Sequence, residues 1–302
     1  MTEPSGVLIV DKHTGVTSHD IVGKVRRLYG TRKVGHTGTL DPDASGVLVV
    51  LIGRAAKAAE YLTADTKRYR ARLRLGLTTD TEDASGTVLS TSEALPDSAA
   101  VIEACNRFIG DIKQIPPMYS ALKKDGQKLC DLARKGITVE RDARDVTVFE
   151  LICQPTDKSC DYILDVFCSS GTYIRTLCAD IGASLGCGGI MAELRRVEAG
   201  GFSLDSSYST SELEEMSTEE RMSLLAPVES LFTSLPSVCL SEFFEKLCRS
   251  GCEIYQKKIR TSYAVGERVR ICDASGRFFA LGEVSEYEGG SAIKAIKTFE
   301  LK

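Results

Sequence analysis

From Lys67 to Leu75 the sequence alternates without a break. Tyr69, Ala71, Leu73 and Leu75 fall on one side, and Arg68, Arg70, Arg72 and Arg74 on the other. Successive side chains of a strand point to opposite faces, so a period of two fits a strand with one face covered. The fold must therefore contain a sheet with an apolar layer beneath it and a basic side turned outward. Residues 47–52 make a different kind of strand. Six apolar residues in a row are the longest such run in the chain, and they read as a strand buried on both faces. The run is far short of the ~18 residues needed to cross a bilayer, and no membrane partner is expected.

Other elements group around these two. Residues 6–11 read as a short strand. Ser18 is placed to cap a helix whose apolar face is Ile21, Val22, Val25 and Leu28, closed by Gly30. A loop rich in Gly, Thr, Asp and Pro covers 35–46, and a helical stretch follows Gly53 as far as Leu62. Val101, Ile102, Cys105, Phe108 and Ile109 mark another helix before Gly110. Residues 115–145 open with Pro116-Pro117, are basic and weakly periodic, and read as an irregular excursion from the core. Strands are expected at 146–152 and 162–168. A helix is expected from near Thr172, with Ile174, Leu177, Cys178, Ile181 and Leu185 inward. Ser217 and Glu220 have the spacing of a capping box.

The composition changes near Pro236. One short helix (241–250) is followed by strands at 268–272, 277–284 and 292–299, with Asp273-Ala274-Ser275-Gly276 as a hairpin turn. Two domains are expected: 1–235, and a small β domain, 236–302. A core below ~80 residues is thin, so the small domain should lean on the large one. Strands and helices mix without a regular βαβ rhythm, which predicts an α+β fold.

The 38 Lys/Arg and 42 Asp/Glu leave a net charge of −4, which argues against a polybasic tail. Residues 20–75 nevertheless hold twelve Lys/Arg against five Asp/Glu, so one face can meet an anion. The eleven cysteines are odd in number, and the N-terminal residues show no export signal. Reduced thiols and a cytoplasmic location are expected. The closest cysteines are Cys248 and Cys252, there is no Cys-x-x-Cys, and only three His exist, so no metal site is expected.

The most specific string is Gly35-His36-Thr37-Gly38-Thr39-Leu40-Asp41-Pro42. Its glycines permit sharp turns, and Pro42 pushes Asp41 into an extended conformation. Such a loop presents His36 and Asp41 at a rim. On the residues alone it is a structural turn, a general acid/base pair, or two metal ligands lacking companions. The turn formed by Asp80 to Asp83 lacks the glycine and distal glutamate of a calcium loop. Arg175, near a helix start, opposes the helix dipole and so calls for a specific anionic partner.

The 35–42 string resembles the bacterial tRNA pseudouridine-55 synthase family, TruB. So do Gly6-Val7-Leu8-Ile9-Val10-Asp11-Lys12, Gly15-Val16-Thr17-Ser18, Asp43-Ala44-Ser45-Gly46-Val47-Leu48 and Lys67-Arg68-Tyr69. Leu75-Gly76, Thr79-Asp80-Thr81-Glu82-Asp83, Pro116-Pro117-Met118-Tyr119-Ser120-Ala121, Ala133-Arg134-Lys135-Gly136, Gly171-Thr172-Tyr173-Ile174-Arg175 and Leu194-Arg195-Arg196 follow in family order. The residues beyond Pro236 resemble, more weakly, a PUA-type RNA-binding domain.

The resemblance implies a pseudouridine synthase-type mixed sheet with flanking helices, acting on the T arm of tRNA as a monomer without a cofactor. It implies Asp41 as catalytic carboxylate, paired with Arg175, and Tyr69 at the target base. Tyr173 and Leu194 would pack around an extruded base, and His36 would hold the flipped-out arrangement. Lys12 matches a motif lysine, read with Arg32 and Lys33, beside the loop in sequence, as part of the substrate-binding set. The sequence departs from the family at His13, at Val49 and at Gly188-Gly189-Ile190. A non-catalytic tRNA-binding or folding protein is the alternative. A metal hydrolase built on His36 and Asp41 lacks a completing cluster.

Overall fold

The computed structural model describes residues 3–62 and 66–299. At its centre is a ten-stranded mixed sheet. The order along its main path is Tyr208–Ser209, Gly6–Lys12, Ala44–Ile52, Gly189–Ala199, Lys67–Leu75, Asp161–Cys168, Arg144–Pro155 and Gly110–Gln114. Val34–His36 and Phe202–Ser203 pair off this path. Gly6–Lys12 runs parallel to Tyr208–Ser209, and Gly189–Ala199 parallel to Ala44–Ile52; the sheet's other described pairings are antiparallel. This is the expected α+β arrangement.

The alternating strand lies in the middle of the sheet. Tyr69, Ala71, Leu73 and Leu75 are buried, in one core with Leu177, Cys178 and Ile181 of the helix Ile174–Ser184 and Val101 and Cys105 of the helix Ser98–Asn106. The basic side is answered from the flanking strands. Arg68 pairs with Glu150 (2.6 Å) and Asp165 (2.7 Å), and Arg74 grips the buried Asp161 with two bonds (2.8 and 2.9 Å). Arg72 faces Asp161 (3.6 Å) and Glu193 (3.2 Å). The strand has no free edge, and much of its charge is neutralised across the sheet.

The 47–52 strand begins three residues earlier than expected and is covered on both faces. Leu48, Val50 and Ile52 meet Ile21, Val22 and Val25, while Val47, Val49 and Leu51 meet Val7, Ile9 and Ala55. The helix Ser18–Leu28 is capped by Thr17, not Ser18, in a reciprocal box with Asp20. The Ser217–Glu220 box forms as read.

The strand Gly189–Ala199 was not expected from the sequence. Its register shifts twice, between Met191 and Glu193 and between Arg196 and Glu198, and each shift breaks the alternation that would reveal a strand. The Gly188-Gly189 departure serves a close contact here. A Cβ on Gly182 would stand 2.1 Å from the nitrogen of Gly189, so the helix rests directly on the strand's first residue. The 115–145 excursion holds a short hairpin, Lys123–Lys124 with Gln127–Lys128, and the helix Leu129–Ala133.

A second sheet runs Ser237–Cys239, Arg268–Cys272, Phe278–Tyr287, Gly290–Thr298, Ile254–Tyr255, with the helix Glu242–Arg249 against it. Asp273 closes the read hairpin turn by accepting from the amides of Ser275 (2.9 Å) and Arg277 (3.0 Å). Phe278, Leu281 and Phe299 pack on Phe232 and Ala58, and Arg270 pairs with Glu229 (2.7 Å), so this sheet does lean on the rest.

The helix-to-strand contact predicts a cost. Gly182→Ala should lower the unfolding free energy by about 1–3 kcal/mol, the usual penalty of overpacking, read from urea denaturation. A variant as stable as the parent would mean that the helix can ride farther from the sheet.

Candidate active site

Residues 37–43 bridge the strands Val34–His36 and Ala44–Ile52. Few loops are fixed at so many successive backbone groups. The Thr37 amide donates to the Val49 carbonyl (3.1 Å). Arg196 donates from Nη2 to the Gly38 carbonyl (3.0 Å), from Nη1 to that of Thr39 (3.4 Å) and from Nε to that of Val47 (2.7 Å). The Ser18 hydroxyl donates to the Leu40 carbonyl (3.0 Å) and accepts the Leu40 amide (2.8 Å). The Ala44 amide donates to the Asp41 carbonyl (3.1 Å). The Lys12 ammonium donates to the carbonyls of Pro42 (3.1 Å), Val16 (2.8 Å) and His13 (3.0 Å). Gly46, at φ +106°, lets the next strand close on this frame, since a Cβ there would lie 2.1 Å from the Arg196 carbonyl oxygen.

The loop holds the Asp41 carboxylate against Arg175, with Nε 3.1 Å from Oδ2. Arg175 is almost fully buried, and its other donors reach the carbonyls of Thr81 (3.2 Å) and Tyr119 (2.8 Å). A second carboxylate, Asp83, lies 3.8 Å away, fixed by the hydroxyls of Thr81 (2.7 Å) and Ser85 (2.6 Å). A cation in the first turn of Ile174–Ser184 opposes the helix dipole, and these carboxylates answer it. The turn between Asp80 and Asp83 carries Glu82 at φ +63°, tied to the helix by Thr176 (2.7 Å). Burial raises the Asp41 carboxyl pKa above the ordinary aspartate value. Arg175 and Lys12 oppose that rise, while Asp83 and Asp43 add to it. The guanidinium thus restrains an upward shift and does not produce a fall.

Tyr69, Leu40 and Leu194 belong to one packed cluster beside the loop. Burial pushes the Tyr69 phenol's pKa up, and the charge of Arg196, its partner across the sheet, opposes that rise. Leu194 stands opposite Ala71 on one side and Ala44 on the other. The Tyr173 backbone is clamped by the Gln114 amide (3.0 and 3.2 Å), so the root of the excursion is anchored at the site. His36 sits on the strand that enters the loop. Burial lowers its pKa first, then the charges of Arg196 and His19, which favours the neutral ring.

The structure therefore brings Asp41, Arg175, Tyr69, Tyr173 and Leu194 together, with His36 alongside. Lys12 is fully buried with its ammonium on three carbonyls, so it holds the loop and does not face outward. Arg32 and Lys33 are not beside the loop. The Gly53 amide bonds the Lys33 carbonyl (2.7 Å), which puts Lys33 at the far end of the Ala44–Ile52 strand from Asp41. At ~3.3 Å per residue that strand is about 26 Å long. Lys33 pairs with Glu3 (2.9 Å).

Residues 26–174 match the family described as TruB family pseudouridylate synthase (N terminal domain), and residues 175–233 match the tRNA pseudouridylate synthase B C-terminal domain. The chain belongs to the TruB family. Its similarity to a tRNA pseudouridine synthase B of Saccharophagus degradans is 40% identity over 299 residues, covering 97% of this chain and 95% of that one. With the protein of the same name from Syntrophotalea carbinolica it shares 45% over 235 residues, 78% of this chain and 76% of that one. Among solved structures, a chain in the crystal structure of a Cbf5-Nop10-Gar1 complex superimposes with a TM-score of 0.75 at 25% identity. That match covers 98% of this chain and 85% of that one.

In the sequence, Arg196 stands in the string Leu194-Arg195-Arg196 with nothing to mark its task, and Ser18 reads as a helix cap. The available signal was an arginine pair inside a segment otherwise fit for a core strand. Ser18→Ala should cost about 1–3 kcal/mol, because it leaves the Leu40 amide and carbonyl unpartnered. Chemical denaturation checks this, and a change under 0.5 kcal/mol would mean the loop does not depend on that hydroxyl.

Proposed function

We propose that this chain is a tRNA pseudouridine synthase that isomerises the T-loop uridine at position 55, with Asp41 as the catalytic carboxylate. The observation that carries this is the division of exposure at the ion pair. The Arg175 side chain is 6% exposed and spent on fixed partners, while the Asp41 side chain is 43% exposed and open to a ligand. In the reaction the N1–C1′ bond breaks and a C5–C1′ bond forms. C5 loses a proton and N1 gains one, so no electron carrier is required. Positive character at C1′ is what a carboxylate stabilises or traps.

The remaining residues fit this reading. A base inside a folded loop must be extruded to meet Asp41. Tyr173 and Leu194 would pack around it, the neutral His36 ring would fill part of the vacancy, and the Tyr69 phenol would serve proton transfer at C5. Lys12 acts through the loop. Lys123, Lys124, Lys128 and Lys135 on the excursion are exposed and suit phosphate contact. Residues 1–235 form the catalytic domain and 236–302 a PUA-like RNA-binding domain, while Arg32 and Lys33 reach RNA away from the reacting base. The chain acts as a monomer in the cytoplasm, in keeping with its eleven free thiols.

Incubation with an unmodified tRNA transcript, followed by pseudouridine mapping, tests the activity and separates it from a purely tRNA-folding role. Asp41→Asn should keep tRNA affinity and abolish product. Residual activity within tenfold of wild type would overturn the assignment of Asp41.

The pH profile of the single-turnover rate should have two limbs. The carboxylate is the active form and its pKa is raised, so the acid limb should lie above the ordinary aspartate range. Asp83→Asn removes a like charge and should move that limb to lower pH, whatever it does to the plateau. On the alkaline side, burial lowers Lys12 to about 8, and the neutral amine cannot hold three carbonyls as an ammonium does. The rate should therefore fall as pH rises through about 8. Because the Lys12 pKa is lowered on folding, the unfolded chain binds more protons there, and this group makes folding more favourable as pH rises. The thermal midpoint should not fall on its account. A rate that stays flat to pH 9.5 would separate the Lys12 charge from the loop's geometry.

A further inference from the structure

Arg196 is a fully buried arginine that donates to three backbone carbonyls. Nε donates to the Val47 carbonyl (2.7 Å), Nη1 to that of Thr39 (3.4 Å) and Nη2 to that of Gly38 (3.0 Å). Five N–H groups in one rigid plane impose their mutual geometry on whatever accepts them. Two of these acceptors are the carbonyls three and two residues before Asp41. The third, that of Val47, belongs to the strand that leaves the loop. The backbone of Arg196 is fixed as well, opposite Tyr69 on one side and Gly46 on the other.

A buried charge is a poor way to gain stability, since an apolar side chain of similar volume often does as well or better. What an apolar side chain cannot do is join the carbonyls of a loop and of the strand after it through one planar group. We propose that Arg196 is a positioning residue that locks the 37–42 loop to the flanking strands Ala44–Ile52 and Lys67–Leu75, so that the loop and the strand carrying Tyr69 form one rigid unit. Asp41 and Tyr69 then meet the same base at a fixed separation. This rests on the roles of Asp41 and Tyr69 proposed above. Arg196 itself touches neither the base nor the sugar.

Arg196→Lys keeps the charge and loses the fork. It should leave tRNA affinity within about threefold of wild type while the single-turnover rate falls about 100-fold, the loss that a ~1 Å misplacement produces. A rate within threefold of wild type, or an affinity loss as large as the rate loss, overturns the proposal. If circular dichroism shows that Arg196→Lys is unfolded, amide hydrogen exchange on the unaltered chain decides. The Thr37 and Leu40 amides should exchange as slowly as those of the Lys67–Leu75 strand, and exchange at open-loop rates overturns the rigid unit. Failure of the unaltered chain to form pseudouridine would sink the functional reading instead, and the exchange measurement would still decide whether loop and strand are one body.

Discussion

Two fully buried cations, Lys12 and Arg196, hold the loop that presents Asp41. They act through carbonyl oxygens on either side of it: Gly38 and Thr39 before, Pro42 after. A hydrogen bond from a charged donor contributes about 1.5–3 kcal/mol, while burying an ion costs several kcal/mol. The two terms nearly cancel, so the cations add little net stability. What they give the chain is a defined backbone in a segment that holds Gly38 and would otherwise sample many conformations. The sheet's topology follows from this need. Arg196 can reach the loop because Gly189–Ala199 lies between Ala44–Ile52 and Lys67–Leu75, and Lys12 can because Gly6–Lys12 lies on the other side of Ala44–Ile52.

That arrangement explains what was legible in the sequence. Periodicity exposed Lys67–Leu75 and the 47–52 run because their neighbours in space are ordinary apolar residues. It failed for Gly189–Ala199, where two register shifts displace the side chains that a regular strand would alternate. Those shifts occur at the residues that carry Glu193 and Arg196. The part of the sheet that serves the site is therefore the part whose pattern is least regular, as expected where a local rule is broken for function. The ordered motifs, by contrast, placed Asp41, Tyr69, Tyr173, Arg175 and Leu194 around one point without any geometry.

Charge was the least legible property. Four arginines on one strand face read as a basic surface, because the sequence does not reveal that Glu150, Asp161, Asp165 and Glu193 come from the two strands on one side and the strand on the other. Proximity along the chain misled in the same way at Arg32 and Lys33. Two residues separate Lys33 from His36, yet an antiparallel pairing with the long Ala44–Ile52 strand sends Lys33 away from Asp41. Ion pairing depends on register, and register is a property of the assembled sheet.

The charges at the site can be read in the same terms. Arg175 faces two carboxylates, Asp41 and Asp83, so the cluster carries one excess negative charge when both are ionised. Either carboxylate alone with Arg175 would make a neutral pair, with little field left for a ligand. With both present, Asp83 shares the guanidinium, and Asp41 is held in place without being fully neutralised. Burial works against the second charge, which is why the Asp41 carboxyl titrates above its ordinary value. In the proposed reaction positive character develops at C1′. A site that holds excess negative charge in a fixed frame stabilises that charge without reorganising. The strain of keeping Asp41 ionised against burial is relieved as the sugar carbon becomes positive, and the buried arginine fork and lysine keep the carboxylate from moving away while this happens.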